Sequence, residues 1–115
     1  MEKPYIPREI LIITETEKTN MELHENEGYR LLVKALLSLE NERECDALLE
    51  DLLTKKEIAD MAQRLLVAKR LSEQVVYSKI VEETGASTAT ISRVNRCYNY
   101  GTGGYATVLG RIKRK

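Results

Sequence analysis

Histidine and cysteine are scarce in this chain of 115 residues, which has one His and two Cys. No Cys-x-x-Cys pair occurs, so no metal site is expected. Cys45 and Cys97 both lie in helical patterns with apolar neighbours, and buried free thiols in a reducing cytoplasm are the simplest expectation. Long apolar runs are missing too, so no membrane span is expected. The segment Ile10–Ile13 is too short for a signal-peptide core and has acidic residues around it. No Ser/His/Asp, Cys/His or paired-carboxylate constellation can be read, which argues against an enzyme. The Gly-rich stretch 99–104 lacks the spacing of a phosphate loop and does not follow a strand pattern, so nucleotide binding is not expected; no cofactor is expected either.

What is present is an ordinary soluble composition, 43% hydrophobic and 31% charged, at a length that suits one small domain. The net charge is zero, but it is unevenly spread. Residues 1–76 hold 11 Lys/Arg against 16 Asp/Glu, a net −5, and residues 77–115 hold 7 against 2, a net +5. An acidic scaffold with a basic, polyanion-facing end fits this split. A merely solubilising tail would account for Arg111, Lys113, Arg114 and Lys115, but not for Lys79, Arg93 and Arg96 further upstream.

Pro4 and Pro7 break any early helix, and residues 1–24 are expected to form an extended or flexible arm ahead of a domain over 25–115. Tyr29, Leu32, Val33, Leu36 and Leu37 recur at helical spacing, with Asn41 as a plausible stop. Cys45, Leu48, Leu49, Leu52 and Leu53 repeat the pattern in a second helix. Two neighbouring helices this rich in Leu have more apolar face than a lone pair can bury, and a subunit interface is one place for it. Packing within one chain is the alternative. Thr54 and Glu57 have the spacing of a capping box that opens a third helix, to about Ser72, with Ile58, Met61, Ala62, Leu65, Ala68 and Leu71 as its apolar face. A final short helix over 105–112 should turn Val108, Leu109 and Ile112 inward.

The segment Tyr77–Tyr98 reads as two short helices joined by a tight turn. Gly85 stands where the turn needs a residue tolerant of positive φ. Ser87 can cap the second helix, and Ala86, Ile91 and Val94 can face inward. The opposite face carries Ser87, Thr88, Ala89, Ser92, Arg93 and Arg96, in a helix almost free of acids. Small residues at a helix N-terminus allow close approach to base edges, and arginines reach phosphate or guanine. With Lys79 and Thr90, these residues form the candidate DNA-binding set. A helical hairpin with a solvated face would explain the same pattern without DNA.

The chain resembles the Trp-repressor superfamily, in particular its Trp-repressor-like YerC/YecD group. The resemblance covers roughly residues 25–110 and rests on Asp51–Thr54 (DLLT), Ala62–Leu65 (AQRL) and above all Glu83–Gly101 (ETGASTATISRVNRCYNYG). It implies an all-α, six-helix fold and an intertwined homodimer. It further implies a sequence-specific transcriptional repressor acting on a palindromic operator in double-stranded DNA. It carries over an effector pocket as well, at Thr54, Arg64, Arg93, Val94 and Cys97. Here Val94 stands where the family has a small Gly, and Cys97 where it has a Ser. Tryptophan is therefore not expected as corepressor, although paired arginines could hold another planar anion. A surface or structural salt bridge is the alternative for Arg64. The competing function from another class is a protein-interaction module that uses the same helix pair without specific DNA binding.

Overall fold

The computed structural model describes residues 22–113. Every regular element among them is helical: α1 Glu27–Ser38, α2 Glu42–Leu52, α3 Lys55–Ser72, α4 Tyr77–Thr84, α5 Thr88–Tyr100 and α6 Gly104–Lys113. The expected N-terminal arm lies outside the described residues, apart from 22–25, which form a helical turn. The chain divides into two compact units, with the boundary between Ala47 and Leu48, inside α2.

In the first unit, local polar chemistry sets the helix ends. Asn26 Oδ1 accepts from the Tyr29 amide at 2.9 Å and opens α1. The helix ends at Ser38, and Asn41, expected as its stop, instead accepts from the Glu44 amide at 2.9 Å and starts α2. An Asx side chain satisfies free amides at a helix start more readily than it ends a helix. Neither α1 nor α2 buries a residue fully. Leu37 is 81% exposed and Leu31 66%.

The second unit is built around six buried residues: Val67, Ala68, Ile80, Ala86, Ile91 and Val94. Helix α3 packs on α4, α5 and α6, and α5 packs on both α4 and α6. The capping box forms as its spacing required. Thr54 Oγ1 accepts from the Glu57 amide at 3.1 Å, and the Thr54 amide donates to Glu57 Oε1 at 2.9 Å. The Thr54 amide, then its hydroxyl, hold the Glu57 carboxyl below the usual carboxylate range.

The inward face of α3 differs from the expected stripe. Val67, Ala68 and Leu71 meet the core, whereas Met61, Ala62 and Leu65 are exposed. The core is packed by the C-terminal half of α3, and on its first half only Ile58 of the apolar stripe is half-buried. In α6, Leu109 packs on the core as expected and Tyr105 joins it at i, i+4, while Val108 and Ile112 stay exposed. Cys45 and Cys97 are free thiols, but half-buried and exposed respectively, because neither points into the core around Ile80.

Candidate nucleic-acid interface

The turn between α4 and α5 carries the geometry on which the site depends. Gly85 adopts φ 72°, ψ 3°, and its amide donates to the Val81 carbonyl at 2.9 Å, closing α4. No atom lies within 4 Å of where a Cβ would sit. The demand for glycine here is therefore conformational and not steric. Ser87 Oγ then accepts from the Thr90 amide at 3.1 Å and caps α5. Ala86, Ile91 and Val94 are buried, so the rotation of α5 about its own axis is set by its apolar side.

That rotation turns Ser87, Thr88, Ala89, Ser92, Arg93 and Arg96 to solvent along one helix, with exposed Lys79 on α4. Two members of the candidate set have other duties. The Ser87 hydroxyl is engaged in capping, and half-buried Thr90 turns towards a cleft. The ion pairs among the described residues are Lys56–Asp60, Arg70–Glu73 and Arg70–Glu83. Lys79, Arg93 and Arg96 have no acidic partner there. The α5 face is thus small and polar at its start, cationic further on, and available to an anionic ligand.

The cleft holds about 190 Å³ between α3, α5 and α6 and is lined by Arg64, Thr90, Arg93, Val94, Cys97 and Tyr105. Four of the five residues suggested for an effector pocket meet here. Thr54 does not, since its hydroxyl caps α3 ten residues before Arg64, roughly 15 Å along the helix. Arg64 is exposed and makes no ion pair among the described residues, so the salt-bridge reading finds no partner. Tyr105, expected only as the start of the last helix, joins these residues around the cleft. Its i, i+4 spacing with Leu109 marks it as inward-facing, but nothing local says which helices it meets.

A buried-turn-linked helix pair with a solvent-facing, acid-free second helix defines a helix-turn-helix protein. The family description "Trp repressor protein" matches residues 27–113, and the chain belongs to that family. It is 52% identical over 82 residues to the uncharacterized protein YerC of Bacillus subtilis (strain 168), covering 71% of this chain and 79% of that one. The solved TrpR-like protein of Eubacterium eligens superposes with a TM-score of 0.74 at 46% identity, over 76% of this chain and 91% of the other. A Staphylococcus aureus structure named as a candidate Trp repressor gives 0.76 at 40% identity, over 83% and 95%. The all-helical fold agrees with both. No helix among the described residues is long and apolar enough to cross a membrane.

Proposed function

We propose that the protein is a sequence-specific transcriptional regulator that represses by binding duplex DNA as a homodimer, with α5 in the major groove. The observation that carries this reading is the division of α5 into a buried apolar side and a solvent face. Ile91 and Val94 are buried, opposite exposed Thr88, Ala89, Ser92, Arg93 and Arg96. Such a helix is anchored firmly, can approach base edges at its N-terminal end, and can reach phosphate with its arginines. Dimerisation is supported by the exposed apolar residues Leu31 and Leu37 of α1 and Met61 and Leu65 of α3. Two such helices in a two-fold dimer would lie about 34 Å apart, one DNA turn, and read a palindromic operator.

Tryptophan is not the effector in this reading. Val94 is only 3% exposed and belongs to the core, so its methyl groups fill the place beside Arg93 where a glycine would leave room. The cleft's 190 Å³ is below the roughly 300–1,000 Å³ of pockets that enclose organic ligands. Cys97 is a weaker polar partner for an ammonium group than a hydroxyl.

Selection of bound sequences from random duplex DNA, with and without amino acids, tests the whole reading. A palindromic consensus whose affinity is unchanged by L-tryptophan is the expected result. If no sequence is enriched at low salt, the helix pair serves a protein partner instead. Once a consensus is known, Arg96→Ala should weaken consensus and unrelated duplexes alike and reduce the salt slope, whereas Thr88→Leu should weaken the consensus alone.

A further inference from the structure

We infer that Arg70 and Gln63 of α3 are positioning residues for the helix pair, holding the C-terminal end of α4 so that α5 meets DNA at a fixed angle; this rests on the DNA-binding reading above. Helix α4 needs such a device. It has eight residues, buries only Ile80 fully, and its N-cap Val76 makes no side-chain capping bond. Ile80, with half-buried Val81 beside it, fixes where this short helix touches its support, but two adjacent apolar side chains leave it some freedom to swivel about that point.

Two polar anchors remove the swivel. Arg70 Nε donates to Glu83 Oε2 at 2.8 Å, while Arg70 Nη1 donates to Glu73 Oε1 at 3.0 Å. A planar guanidinium can hold two carboxylates at set angles, which a lysine ammonium cannot. Gln63 Nε2 donates to the Thr84 carbonyl at 3.2 Å, at the end of α4 where that oxygen has no partner within the helix. Positions 63 and 70 are seven apart on α3, two turns or about 10.5 Å along one face. Their targets, Glu83 and Thr84, are adjacent, so α4 is held from two separated points.

Thr84 passes this restraint into the turn. Its hydroxyl donates to the Ile80 carbonyl at 2.7 Å and accepts from the amide of buried Ala86 at 3.1 Å, immediately before Ser87 caps α5. Among the described residues, the Arg70–Glu83 and Gln63–Thr84 bonds are the only side-chain hydrogen bonds that join two different helices. Every other one spans four residues or fewer, and the clamp falls where the reading head meets the scaffold.

The test combines amide hydrogen exchange with DNA binding, in Arg70→Met, Gln63→Leu and the charge swap Arg70→Glu/Glu83→Arg. In each single variant, amides of α4 and the turn should exchange about tenfold faster, while those of Val67 and Ala68 keep their protection. Affinity for the selected duplex should fall about tenfold and affinity for an unrelated duplex should not change. The charge swap should restore both in part, since a glutamate at position 70 faces Glu73 and the second carboxylate bond is lost. Gln63→Leu alters no charge, so it should lower selected-duplex affinity without changing the salt slope, unlike the loss of a cationic phosphate contact. Unchanged exchange in α4 overturns the inference. So do equal losses on both duplexes with a shallower salt dependence and no rescue, which would make Arg70 a phosphate contact. If the wild-type chain binds no duplex, the DNA-binding reading falls, and the exchange data alone decide whether the clamp exists.

Discussion

Helices α1 and α2 carry apolar stripes as dense as those of α3 to α6, yet bury very different amounts of them. The six core residues all come from α3, α4, α5 and the turn before α5. None comes from α1 or α2, where Leu31, Leu36 and Leu37 remain exposed. Helical periodicity therefore reports which residues share a face and says nothing about what covers it. Within the second unit the cover is another helix of the same unit. The stripe of α1, and the Met61–Leu65 stripe of α3, have no such cover among the described residues, and the proposed dimer would supply one.

Substitutions in the two regions sharpen this contrast. Ile80→Ala should destabilise by about 2–5 kcal/mol, since it opens a cavity in a fully buried cluster. Leu37→Ala gives the contrast its test, because its size depends on the cover. A residue 81% exposed in a monomer should cost within about 0.5 kcal/mol. In a dimer interface the same change should cost as much as a core deletion, and the melting temperature should depend on protein concentration. Light scattering that gives a monomer at micromolar concentration, with a neutral Leu37→Ala, would break the contrast.

Backbone changes in the second unit come next in size. Gly85→Val should cost about 1–3 kcal/mol and abolish DNA binding, because a β-branched residue is strained at φ 72° even though open space surrounds its Cβ. A Val variant with an unchanged melting temperature would mean that the turn can adopt another backbone. The α3–α4 connection holds the converse case. Gln74 has φ 61°, the one positive φ outside glycine among the described residues, and its amide bonds to the Leu71 carbonyl at 3.0 Å. Gln74→Gly should relieve that strain and stabilise by about 0.5–1 kcal/mol, read from the denaturation midpoint.

The smallest effect is the pH response of the capping box. The bonds from Thr54 lower the folded-state pKa of Glu57 beneath its unfolded value of about 4.3. Its stabilising contribution is therefore fully present above that unfolded value and is lost as the pH falls through the folded one. Glu57→Ala should lower the melting temperature at pH 7 and narrow its gap to wild type by pH 3. A gap that stays constant across this range would assign the loss to helix propensity and not to the carboxylate.

Much of the helix pair could be read in advance, because its signals are local. Gly85 in the left-handed region, Ser87 as a cap, and Ile91 with Val94 as the inward side all follow from spacings of a few residues. The capping box at Thr54 was legible for the same reason. The structure departs from the periodicity at Met61, Leu65, Val67, Val108 and Ile112. There the question is which side of a helix a distant segment covers, and helical periodicity leaves several apolar sides to choose from.

The order and type of the helices, their caps, and the small-then-cationic face of α5 were determined by the sequence itself. Each depends on side chains acting on backbone within one turn, an interaction set by chain connectivity. Only the tertiary structure added Tyr105 to Arg64, Arg93 and Cys97 around one cleft, left Thr54 outside it, and joined Arg70 to Glu83 and Gln63 to Thr84. The two clamp contacts span 13 and 21 residues along the chain. At that range they depend on how helices cross and rotate against each other, and the packing of Val67, Ile80 and Ile91 decides that for all the neighbouring side chains at once.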